Sequence, residues 1–217
     1  MTDNVLPILY SFRRCPYAMR SRMALATANI KCELREVVLR DKPEEMLAIS
    51  TKGTVPVLQL SDGKIIDESL DVMYWSLAKS DPENWLQADE GETRFLIKGN
   101  DVDFKDKLDR YKYFTRYPEH DQLYYRKQAE KHLRNLEERL CKNDARGLLE
   151  TRMTLADIAI FPFIRQFSKV EADWFTQSPF PDLRRWLKSL EEGELFRSIM
   201  KKYPEWKTTR SLCIFGQ

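Results

Sequence analysis

One cysteine near the start of the chain, Cys15, lies in a context that favours thiol chemistry. The apolar run at residues 5–10 predicts a strand that leads up to it. Pro16, directly after the cysteine, is a residue favoured at the first position of a helix, and residues 16–29 carry apolar side chains at helical spacing. The sequence therefore places Cys15 at a helix N-cap, where free backbone N–H groups and the positive end of the helix dipole face its sulfur.

Four arginines add positive charge around this thiol: Arg13, Arg14, Arg20 and Arg22. Positive charge and a helix N-terminus both stabilise a thiolate, the reactive form of cysteine, so the pattern predicts a pKa for Cys15 below the usual value of about 8.5. The alternative is an inert core position, because free cysteine is among the most buried residue types. The strand, the proline and the arginines favour the reactive thiol.

The composition of the 217-residue chain is that of an ordinary globular protein, with a formal net charge of +2. A charge this close to neutral predicts no strong attraction to nucleic acid or to an anionic membrane. The four cysteines are widely spaced and form no metal-type pairs, so we predict no bound metal. There is no secretory signal and no apolar run of the roughly 20 residues that cross a bilayer. We therefore expect a cytoplasmic protein with reduced thiols.

The first third of the chain alternates strand and helix signals in the order β-α-β-α-β-β-α. Asp62-Gly63 between two apolar runs is typical of a hairpin, and a β-α-β crossover followed by a hairpin gives a mixed sheet covered by helices. A polar linker at residues 79–84 follows, and after it we find no strand pattern. We predict an α/β domain at residues 1–79 and an all-α domain at residues 80–217. The predicted strands are 5–10, 33–39, 57–60 and 64–66, and the predicted helices are 16–29, one beginning near Pro43, 68–78, 92–116, 121–140, 154–167, 181–192 and 194–202.

One helix start in the second half is well specified. Thr154 and Asp157, three residues apart, form a variant capping box. Residues 158–164 are apolar on every side, as in a buried helix, and Pro162 predicts a kink there. We assign this segment a structural role.

Four features in this order resemble the glutathione transferase family. They are the Cys-Pro-Tyr at 15–17, the Thr-Val-Pro-Val-Leu at 54–58, the Asp-Glu-Ser at 67–69 and the Thr-x-x-Asp at 154–157. The resemblance covers essentially the whole chain. It implies an α/β thioredoxin-like N-terminal domain and an all-α helical C-terminal domain. A cysteine in place of serine or tyrosine at the first helix is similar to the omega class, in a bacterial omega-like branch that lacks the N-terminal extension of the animal proteins.

The resemblance implies that Cys15 forms a mixed disulfide with glutathione, the co-substrate. Ala18 stands where dithiol glutaredoxins carry a second cysteine, so no neighbouring thiol resolves that disulfide. A second glutathione or another protein thiol would resolve it by exchange.

The resemblance also implies a glutathione-binding set. Lys42 binds a carboxylate, the backbone of Val55 pairs with the cysteinyl part, Pro56 is cis, and Glu68 and Ser69 hold the γ-glutamyl end. These residue types suit a ligand with two carboxylates and one ammonium, since a helix N-terminus favours a carboxylate and an exposed backbone edge accepts an extra strand. Without the resemblance, Lys42 is a solvated surface lysine, and Glu68-Ser69 is as well explained by helix capping.

A second-substrate site is marked more weakly. The resemblance implies that it lies between the domains, and Arg110, Tyr111 and Phe114 are the candidates for a surface that stacks a planar electrophile. The alternative is a set of core aromatics with solvated arginines. Single-stranded nucleic acid would also suit a basic aromatic face, but the near-neutral charge disfavours it.

The sequence thus predicts a glutathione-dependent thiol transferase or reductase that acts on mixed disulfides or small electrophiles such as dehydroascorbate. The alternatives are a non-catalytic binding or regulatory protein of this fold, and a weak conjugating transferase. The resemblance further implies a homodimer.

Overall fold

The structure is a computed structural model that describes residues 5–216. The chain divides into two compact units, one formed by the residues up to 83 together with 194 onwards, and the other by residues 84–193. The first break falls a few residues after the predicted boundary at 79–80. The last part of the chain, from residue 194, belongs to the first unit.

A mixed sheet forms the centre of the first unit. Within the described residues it has five strands in the order β4-β3-β1-β2-β5. β1 is parallel to β2 and antiparallel to β3, and the outer pairs, β3 with β4 and β2 with β5, are antiparallel. The strands are β1 Ile8–Ser11, β2 Cys32–Glu36, β3 Val57–Gln59, β4 Ile65–Ile66 and β5 Ile214–Phe215.

The hairpin between β3 and β4 forms as its turn residues predict. The backbone N–H of Gly63 donates to the carbonyl of Leu60 (3.0 Å), and the carboxylate of Asp62 accepts the N–H of Lys64 (2.9 Å). Gly63 has φ 86°, a conformation that glycine adopts without strain.

Helices cover the sheet. α1 packs against α3 and α10, and together they bury side chains of α1 such as Met19 and Met23. The helices of the first unit are α1 Pro16–Thr27, α2 Glu44–Ile49, α3 Ser69–Leu77, α10 Glu194–Ile199 and α11 Trp206–Thr209. The predicted α/β unit with a mixed sheet is confirmed.

The prediction that no strand follows the linker is wrong. Ile214 and Phe215 pair antiparallel with Glu33 and Cys32 at the free edge of β2 and so complete the sheet. A strand of two residues is too short to produce an alternating pattern, so it could not be predicted from hydrophobic periodicity.

The second unit is helical, as predicted. Its helices are α4 Glu90–Lys98, α5 Lys105–Lys112, α6 Gln122–Lys142, α7 Leu155–Ser168, α8 Ala172–Thr176 and α9 Pro181–Glu192. The single helix predicted at 92–116 is instead divided: α4 passes through a π-helical stretch, Gly99–Phe104, into α5. The π-helical stretch adds one residue to a turn, and it buries Asn100 and Phe104 in this unit.

α7 forms the centre of the second unit. Twelve of its side chains are buried, and it packs against α4 and α9. Pro162 lies inside this helix, as the sequence predicted. Along residues 5–216, no helix combines the length and the apolar character that crossing a membrane requires.

Candidate functional site

Cys15 is the N-cap residue of α1. Its backbone is extended (φ −75°, ψ 124°), and Pro16 follows in the first turn, so the local structure is the one that the sequence predicted. The backbone N–H of Cys15 donates to the carbonyl of Phe12 (3.0 Å), which closes a tight turn between β1 and α1. This turn leaves the Cys15 side chain half-buried at the end of the sheet.

The sulfur of Cys15 lies beside the backbone of Val55. Its Sγ donates to the Val55 carbonyl at 3.7 Å, and the Val55–Pro56 peptide bond is cis, as the resemblance implied. Pro56 leads directly into β3, which pairs with β1, the strand that ends at the Cys15 turn. Two chain segments that are 40 residues apart therefore meet at the candidate thiol.

A buried arginine supports the turn behind Cys15. The guanidinium of Arg22, which is only 1% exposed, donates through Nη2 to the carbonyl of Arg13 (2.5 Å). The N–H of Arg13 in turn donates to Oε1 of Glu36 on β2 (2.8 Å). The backbone N–H and the backbone carbonyl of Arg13 are thus both bonded to charged side chains. One of these side chains comes from β2 and the other from α1, so the turn is held between the two elements.

Arg22 also interacts electrostatically with the candidate thiol. Burial lowers the pKa of Arg22 to about 10, while the charges of Glu36 and Cys15 oppose this shift. Burial likewise raises the pKa of Glu36. Because the interaction between two charges is mutual, a guanidinium that is stabilised by a thiolate at Cys15 stabilises that thiolate equally.

Two of the other arginines contact aromatic rings. The guanidinium of Arg14 lies 5.6 Å from the centre of the Phe12 ring, and that of Arg20 lies 5.4 Å from the Tyr17 ring. The sequence grouped four arginines by position alone, and the structure shows that the guanidinium of Arg22 is bonded to the Cys15 turn.

Lys42 lies in the loop that precedes α2 and is half-buried. Its carbonyl accepts from the ammonium of Lys207 at 3.5 Å. Within residues 5–216, the ammonium of Lys42 itself has no hydrogen bond or ion pair. It is thus a cation available to an anionic ligand.

Glu68 and Ser69 begin helix α3. Glu68 is the N-cap residue, but within the described part of the chain its side chain makes no capping hydrogen bond. Its carboxylate instead pairs with the ammonium of Lys52 at 2.5 Å. The Glu68 side chain is 61% exposed, whereas Ser69 is buried.

The sequence analysis missed Lys52. Its ammonium also contacts Asp67 Oδ1 (3.0 Å), and the other oxygen of Asp67 accepts from the hydroxyl of Ser50 (2.8 Å). The hydroxyl of Ser50 and the ammonium of Lys52 lower the pKa of Asp67. Lys52 has no distinguishing pattern in the sequence, and only the turn that follows α2 brings it to Glu68.

The three second-substrate candidates lie in the second unit. Arg110 pairs with Asp106 (3.1 Å) and lies 4.8 Å from the Tyr117 ring centre. Phe114 is half-buried in a short 3₁₀ turn. Tyr111 is buried.

The buried position of Tyr111 is explained by its contacts within the second unit. Its hydroxyl donates to Oε2 of Glu171 (2.7 Å), and its ring packs at 4.9 Å on Phe167. Burial and the hydrogen bond with Glu171 raise the pKa of Tyr111. The same Glu171 oxygen accepts from Arg126 (2.8 Å), so Tyr111 is part of a polar network inside the helical unit.

No group of three or more His, Cys, Asp and Glu side chains among residues 5–216 is arranged to hold a metal ion. The candidate site brings together a thiol, a backbone edge and charged side chains. Such an arrangement suits a peptide-like ligand that has charges at both ends.

Comparison with known proteins identifies the family. Residues 9–85 match the "Glutathione S-transferase, N-terminal domain" family and residues 84–189 the "Glutathione S-transferase, C-terminal domain" family. "Glutathione S-transferase omega-1" of Rattus norvegicus is 25% identical over 191 residues, which are 88% of this chain and 78% of the rat protein. "Glutaredoxin 2" of Escherichia coli K12 is 34% identical over 67 residues, 31% of each chain.

Solved structures share the fold. Glutathione transferase Omega 3C from Trametes versicolor has a TM-score of 0.74 at 21% identity and covers 92% of this chain and 91% of its own. A glutathione transferase family member from Pseudomonas fluorescens pf-5, solved with two glutathione molecules bound, has a TM-score of 0.75 at 19% identity and covers 92% and 94%. With both of its domains matched, the chain belongs to the glutathione S-transferase family.

Proposed function

We propose that this protein is a glutathione-dependent thiol transferase in which Cys15 forms a mixed disulfide with glutathione. The observation that carries the proposal is the placement of Cys15: it is the N-cap residue of α1, its sulfur lies 3.7 Å from the Val55 carbonyl oxygen, and it interacts electrostatically with the buried Arg22. The relatives named as omega-class transferases and as a glutaredoxin support glutathione as the co-substrate.

The reaction has two exchange steps. The Cys15 thiolate attacks the glutathionyl sulfur of a mixed disulfide; a Cys15–glutathione disulfide forms, and the other thiol leaves as a thiolate that takes a proton from water. A second glutathione thiolate then attacks the glutathionyl sulfur on Cys15. Oxidised glutathione leaves, and the Cys15 thiolate is restored. A low-pKa thiol serves both steps, since it attacks readily and also leaves readily.

Recognition of glutathione would follow the charges of the site. The Val55 backbone, next to the thiol, would pair with the cysteinyl part as an added strand. The Lys42 ammonium would take one carboxylate, and Glu68 would take the ammonium of the γ-glutamyl group, with the N-terminus of α3 at Ser69 facing its carboxylate. Pro56 would fix the direction of the Val55 carbonyl.

The proposal is tested by disulfide exchange on a small substrate. Purified protein is mixed with reduced glutathione and the mixed disulfide of glutathione and mercaptoethanol, and oxidised glutathione is measured. We expect turnover. A protein that binds glutathione without turnover would be a binding protein of this fold instead. We also propose a homodimer, as the resemblance implies, and a cytoplasmic location, as the sequence analysis predicts. Sedimentation tests the first and cell fractionation the second.

The thiol of Cys15 is expected to react at a lower pH than an ordinary cysteine. The N-terminus of α1 and the Arg22 guanidinium both favour the thiolate, so the alkylation rate should rise with an inflection below about 8.5. Peptide-resolved mass spectrometry with iodoacetamide across a pH series measures this rate. The exposed Cys141 serves as an internal reference in the same sample. An inflection for Cys15 at or above that of Cys141 would contradict the prediction.

Replacing Glu68 with glutamine is expected to weaken glutathione binding about tenfold. A hydrogen bond to a charged group contributes about 1.5–3 kcal/mol, or roughly tenfold to a hundredfold in affinity. The lower end applies because Glu68 is exposed and already pairs with Lys52. Calorimetric titration with glutathione measures the change, and Glu83→Gln, at another exposed glutamate, is the matched control. Equal affinity in Glu68→Gln and wild type would place the γ-glutamyl group elsewhere.

A further inference from the structure

We propose that the C-terminal segment, residues 205–216, is a positioning element of the glutathione site. It holds helix α2 and the loop that carries Lys42 against the sheet. The inference rests on the proposed function, in which Lys42 binds a carboxylate of glutathione. The proposal adds to the glutathione site a segment that lies more than 160 residues after Lys42 in the sequence.

Trp206 anchors this segment in the core beneath α2. Its side chain is 7% exposed and belongs to an apolar cluster that also contains Met46 and Val55. Met46 is the buried residue of α2, and Val55 is the residue whose carbonyl accepts from Cys15. One cluster thus joins the C-terminal segment, the helix after Lys42 and the backbone edge beside the thiol.

Two arginines enclose the Trp206 ring. The guanidinium of Arg35 on β2 lies 4.0 Å from the ring centre, and that of Arg210 lies 4.2 Å from it. Arg35 also donates to the hydroxyl of Tyr10 (2.6 Å), whose ring meets Trp206 edge to face at 6.0 Å. Such contacts between cations and aromatic rings stabilise a fixed ring orientation.

Two ion pairs then reach the loop on either side of Lys42. The ammonium of Lys207 pairs with Asp41, and it also approaches the Lys42 carbonyl at 3.5 Å. The guanidinium of Arg210 pairs with Glu45 at 2.5 Å. Both cations come from the C-terminal segment. The Asp41 pair holds the loop before Lys42 and the Glu45 pair holds helix α2 after it, and neither pair uses the Lys42 ammonium.

Backbone pairing with β2 fixes the segment near both of its ends. The backbone of Glu205 forms an isolated parallel β-bridge with Glu36 at the end of β2, and β5 pairs with the start of the same strand. Gly216 has φ 85° and approaches the carbonyl of Ile30 so closely that a Cβ would lie 2.6 Å from that oxygen. The position therefore requires glycine, and the backbone at Gly216 is held against residue 30.

Helix α2 needs this support. It has six residues, of which one is buried, and a helix this short is not stable through its own hydrogen bonds. Its position, and with it that of Lys42, must come from tertiary contacts. The C-terminal segment supplies three of these contacts: the packing of Trp206 in the cluster that contains Met46, and the two ion pairs with Asp41 and Glu45.

The test is the double variant Lys207→Gln/Arg210→Gln. It removes both ion pairs and the Arg210 contact with the Trp206 ring, while Trp206 itself and the Arg35 contact on that ring remain. We expect its dissociation constant for glutathione to rise roughly three- to tenfold, as the loss of two exposed ion pairs allows. The alkylation rate of Cys15 by iodoacetamide should not change. The matched control is Lys201→Gln/Lys202→Gln, which removes the same charge from exposed lysines just before the segment.

Hydrogen exchange gives a readout that does not depend on glutathione. The amides of Met46 and Leu47 bond to the carbonyl of Pro43, and that of Ser50 bonds to the carbonyl of Met46. In Lys207→Gln/Arg210→Gln these amides should exchange several-fold faster, whereas the lysine control should match wild type. The charge-swapped pair Arg210→Glu/Glu45→Arg should restore the protection that Arg210→Glu alone loses.

Unchanged exchange in α2, or an equal change in the lysine control, would overturn the positioning role. Faster exchange in α2 with unchanged glutathione affinity would also overturn it, because Lys42 would then not depend on the segment. A wild-type protein without glutathione affinity would instead overturn the proposed function, and the exchange rates would still decide whether the segment holds α2.

Discussion

Replacing Cys15 with serine is expected to abolish disulfide exchange, with a loss of at least about a thousandfold. A serine hydroxyl cannot form a disulfide, and removal of the attacking group from an enzyme that uses covalent catalysis commonly costs this much or more. Glutathione binding should persist, because Lys42, Glu68 and the backbone of Val55 are untouched. The variant is also expected to gain some conjugating activity, since a hydroxyl can donate a hydrogen bond to the glutathione thiolate.

Three measurements distinguish this outcome from a general loss of structure. The first is formation of oxidised glutathione from the mixed disulfide, and the second is calorimetric affinity for glutathione. The third is the mass of the intact protein after exposure to oxidised glutathione, which should show a glutathionyl adduct in wild type. The matched control is Cys141→Ser, at an exposed cysteine of the second unit. Retained exchange in Cys15→Ser, or its loss in Cys141→Ser, would show that another thiol carries the reaction.

Local signals explain why the sequence predicted the turn around Cys15. Pro16 marks the first turn of α1, and the apolar run before Cys15 marks β1, so both elements that place the thiol are encoded within residues 8–27. The same is true of α9, whose predicted range of 181–192 agrees with the structure because Pro181 begins it and Gly193 ends it.

The contacts that the sequence did not reveal join segments that lie apart in the chain. Arg22 contacts the Cys15 turn together with Glu36, and Trp206 joins the core from the far end of the chain. Each lies in a segment whose periodicity indicates only its own helix or strand. The sequence analysis placed the charge of Arg22 near the thiol, but only the fold shows that this side chain is buried and bonded to the Arg13 carbonyl.

The division of the predicted helix at 92–116 illustrates a second limit. A π-helical stretch retains helical backbone angles, so apolar residues on either side of it still recur at helical spacing. Gly99 marks the place where α4 ends, but a single glycine within a helical pattern is compatible with an uninterrupted helix.

Asp157 shows how the structure extends a motif that the sequence found. As predicted, it accepts the backbone N–H of Thr154 (2.8 Å), and it also accepts the hydroxyl of that residue (2.7 Å). Its other oxygen accepts the N–H of Leu148 (2.8 Å) and the indole N–H of Trp186 on α9 (2.9 Å). The capping residue thus also fixes the loop before α7 and joins α7 to α9.

Burial raises the pKa of Asp157 to about 6, and the four donated hydrogen bonds oppose that rise. The carboxyl group is therefore largely ionised at pH 7, where it accepts from all four donors. Its removal would leave those donors unpaired inside the second unit.

We therefore expect Asp157→Ala to lower the free energy of unfolding by about 3 kcal/mol or more at pH 7. Loss of an N-cap alone costs about 0.5–2 kcal/mol, and each further buried donor left unpaired adds about 1–3 kcal/mol. The melting temperature should fall by about 6–12 °C for a chain of this size. Thermal and urea denaturation measure the change, with the exposed Asp173→Ala as the matched control, and exchange activity per folded molecule should be unaffected. Unchanged unfolding with reduced turnover would show that Asp157 acts on the chemistry and not on the fold.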